Sequence, residues 1–286
     1  MASSGSGYDL SSSTFSPDGR IFQVEYAHKA VENAGTALGL RCSDGVVLAV
    51  EKPLLTKMLV KETTGRRVHT IDEYAGVAIT GLVSDGRQIV NRAREEASNY
   101  DDTYGTKIPP STLANRLSAY VHYFTLHGAL RPFGCSTLIA AYDPGTKVHS
   151  LHMVEPSGVS YEYYGAAAGR GRQPARTEME KLSINPKQVA ASASSDGDAG
   201  EGGNLLTCAE AVKQLAKIIY SLHDEAKDKP FELEMSWLCE GSGWKHVGVP
   251  KKIIGEATEW AKKEIEEAEG EESEEEEEDD DDEMEE

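Results

Sequence analysis

The 286-residue chain is short of cysteine, of basic charge and of long apolar runs, and each shortage removes a class of function. Its four cysteines, Cys42, Cys135, Cys208 and Cys239, lie far apart with no Cys-x-x-Cys pair. Three of them sit in apolar contexts, which argues for reduced thiols and against a disulfide framework or zinc site. No run reaches the roughly 18 apolar residues of a membrane span. The opening Met-Ala-Ser-Ser-Gly-Ser-Gly lacks the apolar h-region of a secretory signal, so a soluble, intracellular protein is expected. Lys and Arg number 29 against 49 Asp and Glu, but eighteen of the acids fall in residues 264–286, where no Lys or Arg occurs. The rest therefore carries 31 acids against 29 bases and offers no excess of base for a nucleic-acid footprint. Cofactor motifs are missing too. Gly169-Arg-Gly-Arg-Gln-Pro174 lacks the third glycine of a dinucleotide fingerprint, and no Gly-Lys-Ser/Thr loop exists. Cys135-Ser136 after Gly134 lacks the second glycine of a nucleophile elbow. The eight histidines show no paired ligand spacing, and His149 and His152, three apart on an expected strand, point to opposite faces. Neither a metal nor an organic cofactor is expected.

What is present reads as layered α+β. Residues 1–14 are Gly- and Ser-rich and read as a flexible arm. Ser16 is a candidate N-cap and Pro17 suits a first helical position, ahead of Ile21, Val24, Ala27 and Val31 at helical spacing. Thr36–Cys42 and Val46–Glu51 flank Asp44-Gly45 as an expected hairpin. Tyr74–Leu82 reads as a strand, followed from Ser84 or Asp85 by a helix with Ile89, Val90, Ala93, Ala97 and Tyr100 on one face. Ser111 is a candidate cap for a second helix that carries Leu113, Leu117, Tyr120, Val121 and Phe124 and closes at Gly128. Cys135–Tyr142, Lys147–Val154 and Val159–Ala167 read as antiparallel strands joined by tight turns, and Arg172–Leu182 as a helix. Ala190–Asn204 reads as a flexible insertion. Thr207 and Glu210 form a capping-box pattern ahead of Val212, Leu215, Ile219 and Leu222. Phe231–Cys239 alternates as a strand, and Lys251–Glu267 reads as a last helix that dissolves into the acidic tail. Helices grouped around tightly turned strands favour antiparallel sheets, without choosing between one sheet and two.

Phe15-Ser-Pro-Asp-Gly-Arg-Ile-Phe-Gln-Val-Glu-Tyr-Ala-His-Lys-Ala-Val31, followed at once by Gly35-Thr-Ala-Leu-Gly-Leu40, resembles the N-terminal signature of proteasome α-type subunits. Asp44-Gly45-Val46-Val47, Gly81-Leu82, Arg131-Pro-Phe-Gly134, Glu155-Pro-Ser-Gly158 and Gly169-x-Gly-Arg172 follow in the family's order, extending the resemblance from about Tyr8 to Glu267. Tyr8-Asp9-Leu10, Lys217–Glu225, Phe231–Trp237 and the acidic C-terminus narrow it to one ring position, the seventh. The insertion departs from the family's pattern. The resemblance implies a four-layer αββα sandwich of the N-terminal nucleophile hydrolase type. Its expected parts are a gate arm (1–14), a signature helix (15–34), a sandwich domain (35–267) with an insertion at 190–204, and a disordered acidic tail (268–286).

Catalytic relatives use an N-terminal threonine whose own α-amine serves as base, so the nucleophile must be the first residue. The resemblance puts Thr36 at that position, Glu51 at its supporting aspartate and Arg67 at its lysine. An internal Thr36 has only an amide nitrogen, Arg67 holds a planar fork that stays protonated, and Glu51 is one methylene longer than aspartate. A non-catalytic subunit of a threonine endopeptidase complex is therefore expected, with no catalytic residues. The resemblance further implies a gate cluster of Tyr8, Asp9, Pro17 and Tyr26, with Leu10 standing in for an arginine usual in other α types. It implies an intersubunit activator pocket at Arg67, which could bind a carboxylate bidentately or close the pocket with its bulk. The implied partners are other α subunits in a hetero-heptameric ring, β-type subunits and a regulatory particle or other activator. The implied location is cytoplasm and nucleus. No nucleic acid and no membrane are expected. Ser273, flanked by glutamates, is a candidate phosphorylation site. Two rival readings are an autoprocessed threonine peptidase, cleaved between Gly35 and Thr36, and an acidic-tailed chaperone of basic proteins.

Overall fold

Near-continuous burial along β-strands 37–41, 45–53, 75–81 and 135–143 reflects two five-stranded antiparallel sheets packed face to face and covered on their outer sides. The computed structural model describes residues 7–60, 64–182, 205–224 and 229–283, with side chains as far as residue 268. One sheet has the order β10-β9-β2-β1-β8, built from β1 (Ala37–Arg41), β2 (Gly45–Pro53), β8 (Gly165–Ala168), β9 (Phe231–Cys239) and β10 (His246–Gly248). The other runs β3-β4-β5-β6-β7, from β3 (Val68–Asp72), β4 (Ala75–Gly81), β5 (Cys135–Asp143), β6 (Val148–Val154) and β7 (Ser160–Tyr163). Between them Val46, Leu48, Val50, Leu138, Ala140 and Leu151 interdigitate. Fully burying each of the larger of these side chains is worth about 1.5–3 kcal/mol.

Helices cover both outer faces. Helices α2 (Val83–Tyr104) and α3 (Pro110–Tyr123) bury Ile89, Val90, Leu113 and Leu117 on the second sheet. On the first sheet, α4 (Arg172–Glu180), α5 (Cys208–Ser221) and α6 (Lys251–Glu283) bury Met179, Leu215, Ile219 and Ala261. Helix α1 (Phe22–Glu32) lies across the end of the sandwich, where Val31 joins the core between the sheets. The fold is thus an α+β sandwich of the expected four-layer type. The four cysteines are free thiols, all buried.

Four expectations change. Ser16 does not cap a helix: its hydroxyl accepts from Arg20 N and its carbonyl from Gly19 N, making a tight turn with Gly19 at φ +75°. Helix α1 starts only at Phe22, because Pro17 is used inside that turn. At α3 the helix begins with Pro110 at its first turn, so Ser111 lies inside it rather than capping it. The expected strand 159–167 breaks at Tyr164 into β7 and β8, which belong to different sheets. Helix α6 runs on to Glu283 rather than ending at Glu267, over a stretch without proline and rich in Glu, a good helix former. The insertion expected at 190–204 lies outside the described residues.

A buried histidine ties the two sheets together. Buried His246 hydrogen-bonds Thr70 Oγ1 through Nδ1 and Ser236 Oγ through Nε2, both at 2.9 Å. Its ring lies flat against Gly76, where a Cβ would fall 2.0 Å from the imidazole.

Candidate functional site

The turn from α1 into β1 delivers Thr36 to the head of the first sheet, where it is buried. Its backbone N–H donates to Glu51 Oε2 at 2.9 Å, and Glu51 N donates back to Thr36 O at 2.8 Å. The Thr36 hydroxyl accepts from Gly171 N at 3.2 Å, at a close approach where a Cβ on Gly171 would fall 2.8 Å from Thr36 Oγ1. The preceding carbonyl, Gly35 O, accepts from the Thr80 hydroxyl. Gly169, at φ +100°, packs so tightly beneath it that a Cβ would lie 2.4 Å from that oxygen. Thr36, the peptide bond before it and their neighbours are thus closed into one hydrogen-bonded cluster.

Glu51, itself buried, also accepts from Arg170 Nη2 at 3.0 Å and contacts His223 Nδ1 at 3.2 Å. Neither partner was singled out from the sequence. Arg170 hid between the glycines of Gly169-x-Gly171, and His223 within the stretch from Lys217 to Glu225. Arg67 behaves otherwise. It lines a cavity of about 620 Å³ with Gly35, Glu51, Arg170 and Lys229. Yet its Nη1 donates to Gly81 O at 2.8 Å, and no hydrogen bond joins it to Thr36 or Glu51 among the described residues. Burial pulls its guanidinium below the ordinary arginine value.

The chemistry this allows is limited. An amide nitrogen has no lone pair to accept the hydroxyl proton, and here its N–H is already spent on Glu51. Cys135, within reach of the Asp85 and Arg67 charges, is held protonated by burial.

Of the four residues expected at a gate, the structure brings two together. Tyr26 OH donates to Asp9 Oδ2 at 3.4 Å, and Gln23 Nε2 donates to Asp9 O. Loss of water first, and the Asp9 charge second, lifts the Tyr26 hydroxyl above the usual phenol value. Among the described residues no hydrogen bond joins Tyr8 or Pro17 to that pair. Leu10 is 85% exposed. Ser12, which the sequence did not flag, is buried and donates to His127 O at 2.9 Å and Leu130 O at 3.1 Å. The side chain of Ser273 lies outside the described residues.

A threonine at the head of a two-sheet antiparallel sandwich, backed by a carboxylate from the next strand, fits the N-terminal nucleophile hydrolase type of fold. Residues 31–193 match the family described as proteasome subunit, and residues 8–30 match the N-terminal signature of A-type proteasome subunits. The chain is 52% identical to the alpha type-3 proteasome subunit of Acanthamoeba castellanii, over 93% of this chain and 96% of that protein. Against the alpha type-3 proteasome subunit of Spinacia oleracea the identity is 48%, over 95% of this chain and 100% of the relative. A probable alpha type-7 proteasome subunit of Saccharomyces cerevisiae is 46% identical, over 93% of this chain and 86% of its own length. The chain belongs to the proteasome subunit family, and it carries that family's α-type signature.

Proposed function

We propose that this chain is a non-catalytic structural and gating α subunit of the 20S proteasome core, at the seventh position of a hetero-heptameric α ring. It stacks on β-type subunits, which supply the proteolysis, and helps control substrate entry in ubiquitin-dependent and ubiquitin-independent degradation in cytoplasm and nucleus. A regulatory particle or other activator docks on its outer face.

The observation that carries this reading is the donation from Thr36 N to Glu51 Oε2 at 2.9 Å. It ties up the group that a threonine peptidase must free. The close approach of Gly169 to Gly35 O and the bond from Thr80 further support an uncut Gly35–Thr36 link. The test is native mass spectrometry of the particle from its own cells, with the intact mass of this chain read after dissociation. A large particle holding an uncleaved chain is expected. A chain beginning at Thr36 would make it a peptidase instead, and a persistent monomer would favour an acidic-tailed chaperone.

Two finer roles belong to the same reading. The guanidinium of Arg67, drawn inward onto Gly81 O, supports an activator pocket that is used weakly or not at all. Crosslinks from an activator-tail peptide landing squarely at Arg67 would count against it. An acid-directed kinase modifies Ser273, and finding that residue unmodified in protein from cells would remove this role.

A further inference from the structure

Strand β9 is paired unevenly. It runs beside β2 along its whole length, Phe231–Cys239, but beside β10 only at Ser236–Leu238. Leu54 N donates to Pro230 O and Glu240 N to Asp44 O, which fixes the phase: even-numbered residues of β9 turn their backbone groups to β2. Odd-numbered residues turn theirs the other way. There Val249 N donates to Met235 O at 3.1 Å, and the pairing stops. The N–H of Met235 and both backbone groups of Leu233 and Phe231 have no partner among the described residues. Yet Leu233 is only 8% exposed and Met235 3%. Backbone groups sheltered to this degree are nearly always paired.

These groups wall a second cavity of about 590 Å³, bounded by β9, β3 and the first turns of α6. Its charges are unequal in availability. Lys52 is held by Glu232 at 2.9 Å, and Glu234 accepts from Arg67 N at 2.8 Å. Arg66, with its side chain 62% exposed, reaches Glu234 only at 3.6 Å, beyond good hydrogen-bond geometry. Across from Leu233 the wall includes Ile254 and Gly255, and a Cβ on Gly255 would meet nothing within 4 Å.

We propose that this cavity is a strand-addition site for a short, extended, acidic segment of a partner protein. The segment lies beside Phe231–Met235 in line with β10, and its backbone pairs with the groups of Leu233 and the N–H of Met235. One of its apolar side chains fills the space against Ile254 and Gly255, and an acidic residue meets Arg66. Strand addition draws its affinity from main-chain bonds and its selectivity from alternate side chains. The uneven edge supplies the first, and the Gly255 space with Arg66 the second.

The test uses the assembled particle and a fluorescein-labelled probe, acetyl-Glu-Val-Thr-Val-Thr-Val-amide. Saturable binding is expected, with slowed hydrogen exchange at the Leu233 and Met235 amides, which exchange readily before the probe is added. Methylating alternate probe nitrogens, on the edge that faces β9, should weaken binding about tenfold or more by removing main-chain bonds. Gly255→Phe should abolish binding by filling the space, Gly255→Ala should retain it, and Arg66→Glu should weaken it several-fold. If Gly255→Phe fails to assemble, the methylated probe on unaltered particles decides the matter. Equal binding of both probes, protection at other amides, or no saturable binding would overturn the site.

Discussion

Thr36 and Glu51 are bonded twice across the β1–β2 hairpin, by Thr36 N to Glu51 Oε2 at 2.9 Å and by Glu51 N to Thr36 O at 2.8 Å. The Glu51 side chain, expected at the position of a supporting aspartate, here holds the Thr36 backbone in place. Replacing Glu51 by Ala leaves Arg170 and His223 facing an empty position and removes the acceptor of a buried amide. A loss of about 3 kcal/mol is expected, toward the low end for a broken buried pair because Arg170 is partly exposed. Thr36→Ala removes only the acceptor for Gly171 N and should cost about 1 kcal/mol. Urea titrations of the chain check both values. Particles assembled with Thr36→Ala should keep their full peptidase activity, which a catalytic Thr36 would forbid.

His246 gives the chain an acid-sensitive joint between its sheets. Burial pushes its pKa down to about 4, against roughly 6.5 in an unfolded chain. As pH falls from 6.5 the unfolded chain therefore takes up a proton that the folded chain refuses. The stability this site contributes is complete above pH 6.5 and is lost progressively toward pH 4, by about 3 kcal/mol in all. Its facing partners, the Thr70 and Ser236 hydroxyls, are neutral and add no charge of their own. His246→Gln should flatten the slope of urea stability between pH 6.5 and 4 while leaving the slope outside that window unchanged.

Two glycines should respond in opposite directions to the same substitution. At Gly76 a methyl would sit 2.0 Å from the His246 ring, and the ring is fixed from both ends by hydrogen bonds. Gly76→Ala should cost about 3 kcal/mol or prevent folding. Gly255 lies within α6 with open space around its Cβ position, so Gly255→Ala should gain about 0.5–1 kcal/mol from helix propensity alone. Thermal melts of the two variants, run side by side, would separate the effects by sign.

Local chemistry made much of this fold readable in advance. Asp44-Gly45 turns β1 into β2, and Thr207 with Glu210 caps α5 reciprocally, as their residue types demand. Errors came where tertiary contacts overrule local signals. Val159–Ala167 reads as one strand, but hydrogen bonds to β6 on one side and β1 on the other split it between sheets. Strands β3 and β10 were missed because each is a short edge strand. The one at His246–Gly248 is three residues long and owes its place to contacts with Leu238 and Ser236. At the candidate site, the Thr36–Glu51 pair followed from the resemblance. Arg170 and His223 did not, since only folding brings residues so distant in sequence onto one carboxylate.

The arm offers the last prediction. Ser12 fixes it to the turn after α3, and further toward the N-terminus Tyr26 and Gln23 hold Asp9. If the arm alternates between a position over the pore and the one seen here, each bond to Asp9 favours the latter only by its own net worth. Tyr26→Phe deletes one such bond and should shift the balance toward closure about fivefold. The Phe22–Tyr26 ring contact survives the change, so packing of α1 is spared. Activator-stimulated hydrolysis of a peptide substrate by the assembled particle should fall, and hydrolysis by particles lacking residues 1–11 of this chain should not. Equal stimulation of the Tyr26→Phe and unaltered particles would show that Asp9 and Tyr26 play no part in the gate.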